Sequence, residues 1–210
     1  AERLTVALQY PLPKGALTRL LGALARHPGG ALTHVAIRRF IGRYGVDMSE
    51  AADPNPAHYE TFNAFFTRPL RAGVRPLAAS DFVCPVDGAI SQFGPIEGDQ
   101  IFQAKGHHYS TAALLGGDRD AARVYQGGTF ACIYLSPRDY HRIHMPCAGH
   151  LRRMVHVPGE LFSVNPATAR GVPGLFARNE RVVCLFDGDV DGGAGPATFP
   201  FALVLVGATV

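Results

Sequence analysis

The chain has 210 residues, of which 47% are apolar and 18% charged, a composition typical of a globular protein and not of a disordered one. Its 24 glycines and 16 prolines favour short strands with many turns over a bundle of helices. The net charge of +3 is uneven, because residues 1–48 carry seven basic and two acidic side chains and the remainder is net negative.

The N-terminal region predicts two amphipathic helices. In the first, apolar side chains recur at i, i+3, i+4, i+7 and i+8, at Leu17, Leu20, Leu21, Leu24 and Ala25. The pair Gly29-Gly30 ends this helix, and the second runs from about Thr33 to Tyr44. Its apolar stripe consists of Leu32, Val35, Ala36, Phe40 and Tyr44, widened by Ile37 and Ile41.

Basic side chains on these helices allow two interpretations. Arg38, Arg39 and Arg43 lie on the second helix. In an interfacial anchor the apolar faces enter the headgroup boundary, and each arginine near an anionic surface adds about 1 kcal/mol. In a globular protein the same faces pack against the core and the charges are solvated. The pattern alone favours the second interpretation.

From about Pro76 onward, short apolar runs separated by Gly, Pro and Asp predict a strand-rich body. The predicted strands are residues 89–93, 100–104, 129–135, 151–157, 181–186 and 201–206. Residues 59–66 predict a short aromatic helix, and residues 187–200 predict a mobile hairpin loop. No apolar run approaches the roughly 20 residues of a transmembrane helix, so we expect no spanning segment.

These elements predict an α+β fold, with N-terminal amphipathic helices on a mostly antiparallel β catalytic body. We expect a helical membrane-association region at residues 1–75 and a β-rich catalytic domain at residues 76–210.

Ionisable side chains are concentrated at residues 136–147, after a predicted strand. His141 and His144 are three positions apart and would share a face of a helical turn, which suggests a metal site. No glutamate lies within the segment, however, and a third ligand is missing. Acid–base catalysis is a second hypothesis, because imidazole titrates near neutral pH. A third is that both histidines are structural, and spacing alone does not decide among the three.

Other polar positions have weaker patterns. Asp87 precedes a glycine at a predicted turn. It either serves only to form that turn or is a carboxylate that orients a histidine. His107 and His108 are expected in a turn after a strand, and the loop containing Ser163 and Asn165 suits a phosphate or an ordinary junction. The four cysteines form no C-x-x-C pair and are expected to be free thiols. The chain contains no P-loop, Rossmann or G-x-S-x-G motif.

Several segments together resemble the bacterial phosphatidylserine decarboxylases. The matching stretches are Leu8-Gln-Tyr10, Thr61-Phe-Asn63, Phe65-Phe66, Arg68-Pro-Leu-Arg71, Pro85-Val-Asp-Gly88, Gln103-Ala-Lys-Gly106, residues 136–147, residues 158–165 and residues 175–181. They follow the family order along the whole chain, and the Tyr-His-Arg-x-His-x-Pro and Phe-Ala-Arg-Asn-Glu-Arg blocks are the most specific.

The resemblance implies a proenzyme that cuts itself at a Leu-Gly-Ser-Thr motif, so that the serine becomes a pyruvoyl group on a small α chain and the larger part becomes the β chain. His144 would take the serine proton and Asp87 would orient His144. The pyruvoyl group would form a Schiff base with phosphatidylserine, and the product after loss of CO₂ would be phosphatidylethanolamine. His141 is the candidate that returns a proton to the substrate carbon, with His144 as its alternative. Ser163 and Tyr134 are candidate substrate contacts.

Further expectations concern partners and location. The resemblance implies a β chain that pairs with its own α chain, binds no nucleic acid, and works on the cytoplasmic face of the bacterial inner membrane. It favours Arg38, Arg39 and Arg43 as contacts to lipid phosphates, and a homodimer of αβ units is left open. No Leu-Gly-Ser-Thr occurs in the 210 residues, so this chain alone is expected to be inactive and to depend on a serine outside it.

Two rival functions remain. A metal-dependent hydrolase would use His141, His144 and either His107 or His108, and chelators would inhibit it. A membrane-binding module without a catalytic tail would have no processing serine in the downstream coding sequence.

Overall fold

A computed structural model describes residues 2–191 and 196–209, and it has the predicted mixed α+β fold. The helices in this part of the chain are α1 (Glu2–Gln9), α2 (Lys14–Arg26), α3 (Ala31–Tyr44), a 3₁₀ helix (Pro56–His58), α4 (Phe62–Phe66), α5 (Thr111–Leu114), α6 (Arg119–Val124), α7 (Pro166–Gly171) and α8 (Leu175–Arg178). The strands are β1 (Ala89–Pro95), β2 (Gln100–Ala104), β3 (His107–Ser110), β4 (Thr129–Tyr134), β5 (Ala148–Val157), β6 (Arg181–Asp191) and β7 (Pro196–Val206).

The chain forms two compact units, each built from separate stretches of sequence. The sheet unit contains the residues up to Thr18, Ile90–Tyr134 and the residues from Cys147 onward. The helical unit contains Arg19–Ala89 and Leu135–Pro146. The histidine segment therefore belongs to the helical unit, although it follows β4 and precedes β5 in the sequence.

The sheet unit is organised around an antiparallel sheet in the order β5-β6-β7. Two smaller sheets pair β1 with β4 and β2 with β3. Val183, in the central strand β6, is buried with Leu115 and Ala122, so α5 and α6 help to cover this sheet. A second cluster of Ile96, Ile101 and Tyr109 lies beside the β2–β3 hairpin.

The prediction of a loop at residues 187–200 was wrong for most of its length. Strand β6 continues to Asp191 and β7 begins at Pro196, and residues 192–195 lie outside the described residues. Gly and Asp disfavour strands locally, but ladder pairing with β5 and β7 outweighs that preference here. Gly188 faces Phe199 across the ladder, and a Cβ at Gly188 would collide with the phenyl ring. The glycine therefore makes room for an aromatic neighbour.

Helices α1, α7 and α8 pack together in the sheet unit, and none of the three was predicted. Helix α1 packs on α7, where Val6 is buried with Phe162, Val172 and Leu175. The side chain of Gln9 accepts a hydrogen bond from Ser163 N at 2.9 Å and donates one to Thr168 Oγ1 at 3.2 Å. Asn165 caps α7 by accepting a hydrogen bond from Thr168 N at 2.9 Å.

Helices α2 and α3 confirm the two predicted N-terminal helices. Helix α3 ends where Gly45 adopts a left-handed conformation, with φ of 68°, and its N–H donates to the carbonyl of Ile41. Ile37 is fully buried with Val46, Tyr59 and Phe65. The ring of Phe40 makes edge contacts with Phe62, Phe65 and Phe66, and these aromatic side chains form the core of the helical unit.

The apolar stripe predicted on α3 divides between two faces. Ile37, Phe40 and Ile41 face the core, whereas Leu32 is 81% exposed and Val35 is also exposed. On α2, Leu20 and Leu24 are likewise exposed. Within the described residues, the helices are too short or too polar to cross a bilayer.

Candidate active site

Two backbone hydrogen bonds bring the Asp87 segment beside the histidine segment. Val83 N donates to Pro146 O and His144 N donates to Pro85 O, both at 2.8 Å. These bonds join residues about sixty positions apart in the sequence. Asp87 and His144, which sequence resemblance singled out separately, are therefore carried by neighbouring segments of the helical unit.

Asp87 is held by Arg75. The guanidinium donates from Nε to Oδ1 at 3.0 Å and from Nη2 to Oδ2 at 2.6 Å. The same guanidinium also donates from Nη1 and Nη2 to the two carboxylate oxygens of Glu50, at 3.0 and 2.8 Å. Hydrogen bonds from Arg75 to Asp87 and Glu50 raise the pKa of the guanidinium above its ordinary value. The double fork fixes the orientation of the Asp87 carboxylate.

His144 is bound to Tyr140 through its ring. Tyr140 Oη lies 3.0 Å from Nε2 of His144, and the two rings stack at 5.6 Å between centroids. Tyr140 is buried whereas His144 is exposed. With this contact intact, His144 has a basic ring nitrogen that is not already hydrogen-bonded to the tyrosine only in the tautomer in which Nε2–H donates to Tyr140, because Nδ1 then carries the lone pair.

His141 has a defined tautomer and a shielded ring. Its Nδ1 lies 2.7 Å from the backbone carbonyl of Asp139. A carbonyl oxygen only accepts, so Nδ1 carries the hydrogen and Nε2 of the neutral ring carries the lone pair. The ring lies against Phe66, with 4.1 Å between centroids. Burial lowers the pKa of His141, and the hydrogen bond to the Asp139 carbonyl opposes that effect.

The loop that carries both histidines is held at several points. Asp139 Oδ2 accepts from Ser136 N at 2.6 Å and from Ser136 Oγ at 2.8 Å, closing a short turn. Arg142 donates from Nε to Thr67 O at 2.8 Å, which ties the segment to the end of α4. The irregular backbone is therefore fixed by side-chain bonds instead of a helix, and the shared helical face imagined for His141 and His144 does not form.

The two candidate substrate contacts lie in the sheet unit. Tyr134 is the last residue of β4, and Ser163 lies in the loop before α7, where its Oγ accepts from Asn165 Nδ2 at 2.9 Å. The structure thus places Asp87, His141 and His144 together in one unit and Ser163 and Tyr134 in the other. The roles assigned to all five remain predictions.

His107 and His108 lie in strand β3 and not in the turn that was predicted. Both belong to the sheet unit, whereas His141 and His144 belong to the helical unit. Within residues 2–191 and 196–209, no group of three or more His, Cys, Asp or Glu side chains is arranged to hold a metal ion.

Sequence reasoning missed three residues of this site: Arg75, Glu50 and Phe66 as the wall beside His141. The partners of Arg75 lie 12 and 25 positions away, so no local pattern signals the pairing. Tyr140 was within the noted segment, and its spacing of four from His144 was the available signal.

A mixed α+β fold with two imidazoles, an oriented carboxylate and a phenol in one loop cluster describes a candidate acid–base enzyme. Comparisons identify the family. A family model described as phosphatidylserine decarboxylase matches residues 62–210, and one described as PSD matches residues 4–45. The chain belongs to the phosphatidylserine decarboxylase family.

Several relatives are similar over the whole chain. The phosphatidylserine decarboxylase proenzyme of Azoarcus sp. (strain BH72) is 68% identical over 210 residues, which are 100% of this chain and 70% of the relative. The proenzyme of Delftia acidovorans is 68% identical, with 71% of the relative covered. That of Methylibium petroleiphilum is 65% identical with the same coverage. These comparisons support neither the metal-dependent hydrolase nor the inactive membrane module.

Proposed function

We propose that this chain is the β-chain portion of a self-processing phosphatidylserine decarboxylase, which converts phosphatidylserine to phosphatidylethanolamine and CO₂. The observation that carries the proposal is full-length identity of 68% to relatives named as proenzymes of that activity. The acid–base side chains Asp87, His141 and His144, which all belong to the helical unit, are compatible with it.

The proposed role of His144 is to accept the hydroxyl proton of the processing serine. Asp87 would act with it as the orienting carboxylate, since it lies on the segment paired to His144 and is already fixed by Arg75. Tyr140 holds the imidazole through Nε2, and this contact would have to open so that one ring nitrogen meets the Asp87 carboxylate while the other accepts the proton. The serine would come from sequence outside these 210 residues, which contain no Leu-Gly-Ser-Thr.

His141 is the proposed proton donor in decarboxylation. Its Nδ1–H is committed to the Asp139 carbonyl, so the proton that it can transfer is the one on Nε2. Burial beside Phe66 keeps the neutral form dominant near neutral pH, and Nε2 can therefore accept a proton before returning it.

A pyruvoyl group is the proposed cofactor, on an α chain produced from the same precursor. Its carbonyl supplies an electron-withdrawing centre that accepts the electron pair left by CO₂. The residues present fit a pyruvoyl group. Such a group is formed from a serine residue of the precursor itself, so it needs neighbouring acid–base groups and no side-chain ligands to hold it. His141 and His144 provide those groups within the described chain.

The exposed faces of α2 and α3 support attachment to an anionic membrane surface. Leu20, Leu24, Leu32 and Val35 are exposed, and Arg38, Arg39 and Arg43 are exposed on α3. Apolar and cationic side chains on short helices are the combination that binds a phospholipid interface. We place this surface at the cytoplasmic face of the bacterial inner membrane.

The test is intact mass spectrometry, under denaturing conditions, of the product of the full coding sequence that contains these residues. We expect two polypeptides, the smaller beginning with a pyruvoyl group, and inhibition of the enzyme by hydroxylamine but not by EDTA. His144→Ala should leave the precursor uncut, whereas His150→Ala, at an exposed histidine in β5, should process normally. A single uncut wild-type polypeptide, or inhibition by EDTA alone, would contradict the proposal.

A further inference from the structure

A depression in the sheet unit is lined by three basic side chains. It has a volume of about 540 Å³ and lies among α1, α7 and the turn between β2 and β3. Lys105 and His107 come from the turn and the start of β3, and Arg170 comes from α7. Val6 and Tyr10 form an apolar wall, and no acidic side chain lines the depression among the residues whose side chains the structure describes. The resemblance assigned no role to any of these residues.

The turn that presents Lys105 has an unusual backbone. Lys105 has φ of 46°, in the left-handed region that a non-glycine residue rarely adopts, and Gly106 follows with φ of 78°. The ladder closes directly around this turn, because Ala104 pairs with His107. A conformation of this kind persists only where the surrounding structure imposes it, and it is found preferentially at functional sites.

The walls of the depression are fixed by hydrogen bonds. Gln103 donates from Nε2 to the carbonyls of Ala169 and Val172, at 2.7 and 2.8 Å, which joins β2 to α7. Gln9 joins the end of α1 to Ser163 and Thr168. A Cβ at Gly171 would lie 2.9 Å from Val6, so the two helices approach closely. The depression is therefore formed before any ligand arrives.

The two lysines of the chain have opposite surroundings. Lys14 is 8% exposed and pairs with Glu160 at 3.1 Å. Lys105 is exposed and forms no ion pair with the described residues. A cation left open to solvent beside two further basic side chains attracts an anion, and an arginine with a lysine suits phosphate oxygens.

We propose that this depression binds the phosphate group of a phosphate ester, with the organic part against Val6 and Tyr10. The ester is either the headgroup of an anionic phospholipid or a soluble molecule such as glycerol phosphate. Leu8 and Leu12 are exposed close to Tyr10 in the sequence, which favours the lipid source. The site is independent of the catalytic roles proposed for His141 and His144.

The scarcity of lysine provides a direct assay. An amine-acylating reagent should modify Lys105 much faster than Lys14, and peptide mass spectrometry on the mature, processed enzyme reports each site separately. The probes are glycerol phosphate, vesicles of phosphatidylcholine, and vesicles of phosphatidylcholine with phosphatidylglycerol. At a ligand concentration of about ten times Kd, acylation of Lys105 should slow about tenfold.

Two variants distinguish binding of phosphate in the depression from general shielding of Lys105 by a vesicle surface. Arg170→Gln should abolish the protection, whereas Arg119→Gln, at an exposed position in α6 of the same unit, should leave it unchanged. Protection by glycerol phosphate as well as by anionic vesicles would assign a free phosphate ester. Protection by anionic vesicles alone would assign a lipid headgroup. Absence of protection by every probe, or protection that survives Arg170→Gln, would overturn the proposal, and neither result bears on decarboxylation.

Discussion

Arg75 holds two carboxylates at once, and this pairing determines where the Asp87 side chain points. Four hydrogen bonds of 2.6–3.0 Å join the guanidinium to Asp87 and Glu50. A guanidinium is the one side chain with donors placed for two forked contacts of this kind. Asp87 could not rotate freely, and its proposed action on His144 would depend on a residue that touches neither the histidine nor the serine.

Replacing Arg75 should therefore slow self-cleavage of the full-length precursor. For Arg75→Met we expect a rate about tenfold lower, because Asp87 loses its charge-assisted hydrogen bonds to the guanidinium. Arg75→Lys should give an intermediate rate, since it keeps the charge but not the fork. Cleavage is followed by gel analysis over time, with Tm measured in parallel. Arg152→Met, which removes a comparable exposed pair with Asp187, is the control, and equal rates for it and Arg75→Met would contradict a positioning role.

The environment of His141 makes a second prediction. Phe66→Ala should expose the imidazole and raise its pKa toward the ordinary value of 6.5, because burial is the main cause of the lowered pKa. If the imidazolium donates the proton, decarboxylation falls as pH rises through this pKa. The fall should then move to higher pH in the variant.

NMR titration of the imidazole signals measures that pKa directly. His144, whose ring stacks on Tyr140, serves as the internal control. Phe66→Leu, a milder change in the aromatic core, should give a smaller rise. A pKa of His141 that stays the same in Phe66→Ala would show that the phenyl ring does not shield it.

At this scale the sequence identified the residue types but not their states. His141, His144 and Asp87 were all singled out. Of their neighbours, Tyr140 lay in the same segment, whereas Phe66 and Arg75 were not assigned to the site. The tautomer of His141 depends on the carbonyl of Asp139, which adjacent sequence cannot place. Arg75 finds partners through the fold of residues 50–87, so its role is not encoded in a local pattern.

At the scale of elements, α3 has one apolar face that packs in the core of its unit and a second that is exposed. Ile37 is fully buried in the helical unit, and Leu32 and Val35 are exposed on the same helix. Arg39 and Arg43 lie seven and eleven positions after Leu32, on the exposed side. The two interpretations of the N-terminal helices are thus compatible, because packing uses one face and leaves the other for a membrane.

Vesicle binding should separate the contributions of charge and apolar area. Replacing Arg38, Arg39 and Arg43 by Glu should weaken binding to anionic vesicles by about 100-fold or more, at about 1 kcal/mol for each arginine. Leu24→Glu with Leu32→Glu should weaken it similarly through lost apolar burial. High salt should reduce binding of the wild type but add little to the loss in the arginine variant.

The control is Met154→Glu, an exposed apolar position on β5 of the sheet unit. It should bind vesicles like the wild type while self-cleavage continues in all the variants. Vesicle binding that the helix substitutions leave unchanged would limit α2 and α3 to a packing role.

Helices and strands with a strong local sequence pattern were predicted well. Those that depend on pairing or packing with distant segments were not. Strand β2 was predicted to the residue, and α3 within two residues of its start. The ends of β6 and β7 were missed because Gly188 and Asp189 read as loop, although each pairs with a β7 residue. Helix α1 was missed because its buried contact, Val6 against Val172, joins residues far apart in sequence.

At the scale of the whole molecule, Asn179 joins three separate segments of the sheet unit. It is fully buried, donates from Nδ2 to Phe162 O and Gly207 O at 2.8 Å, and accepts from Phe162 N at 3.1 Å. Buried polar groups that lose their partners are costly, so this one amide stabilises the junction of the loop before α7 with the end of β7.

Asn179→Ala should lower the free energy of unfolding by about 3 kcal/mol, because three main-chain groups lose a buried partner. Urea denaturation followed by circular dichroism measures the change. Asn63→Ala, at an exposed position in α4, should change it by less than about 0.5 kcal/mol. A loss for Asn179→Ala no larger than that of the control would mean that water replaces the amide.

The hydrogen bond between Gln9 and Ser163 can form only long after α1 has been synthesised. Its partners are 154 residues apart, and the other contacts of α1 lie in the same distant stretch. At roughly 5–20 residues per second, a ribosome needs about 8–30 s to make the intervening chain. During that interval the nascent α1 has no native surface to cover Val6, so chaperones or a lipid surface can reach it before its own α7 exists.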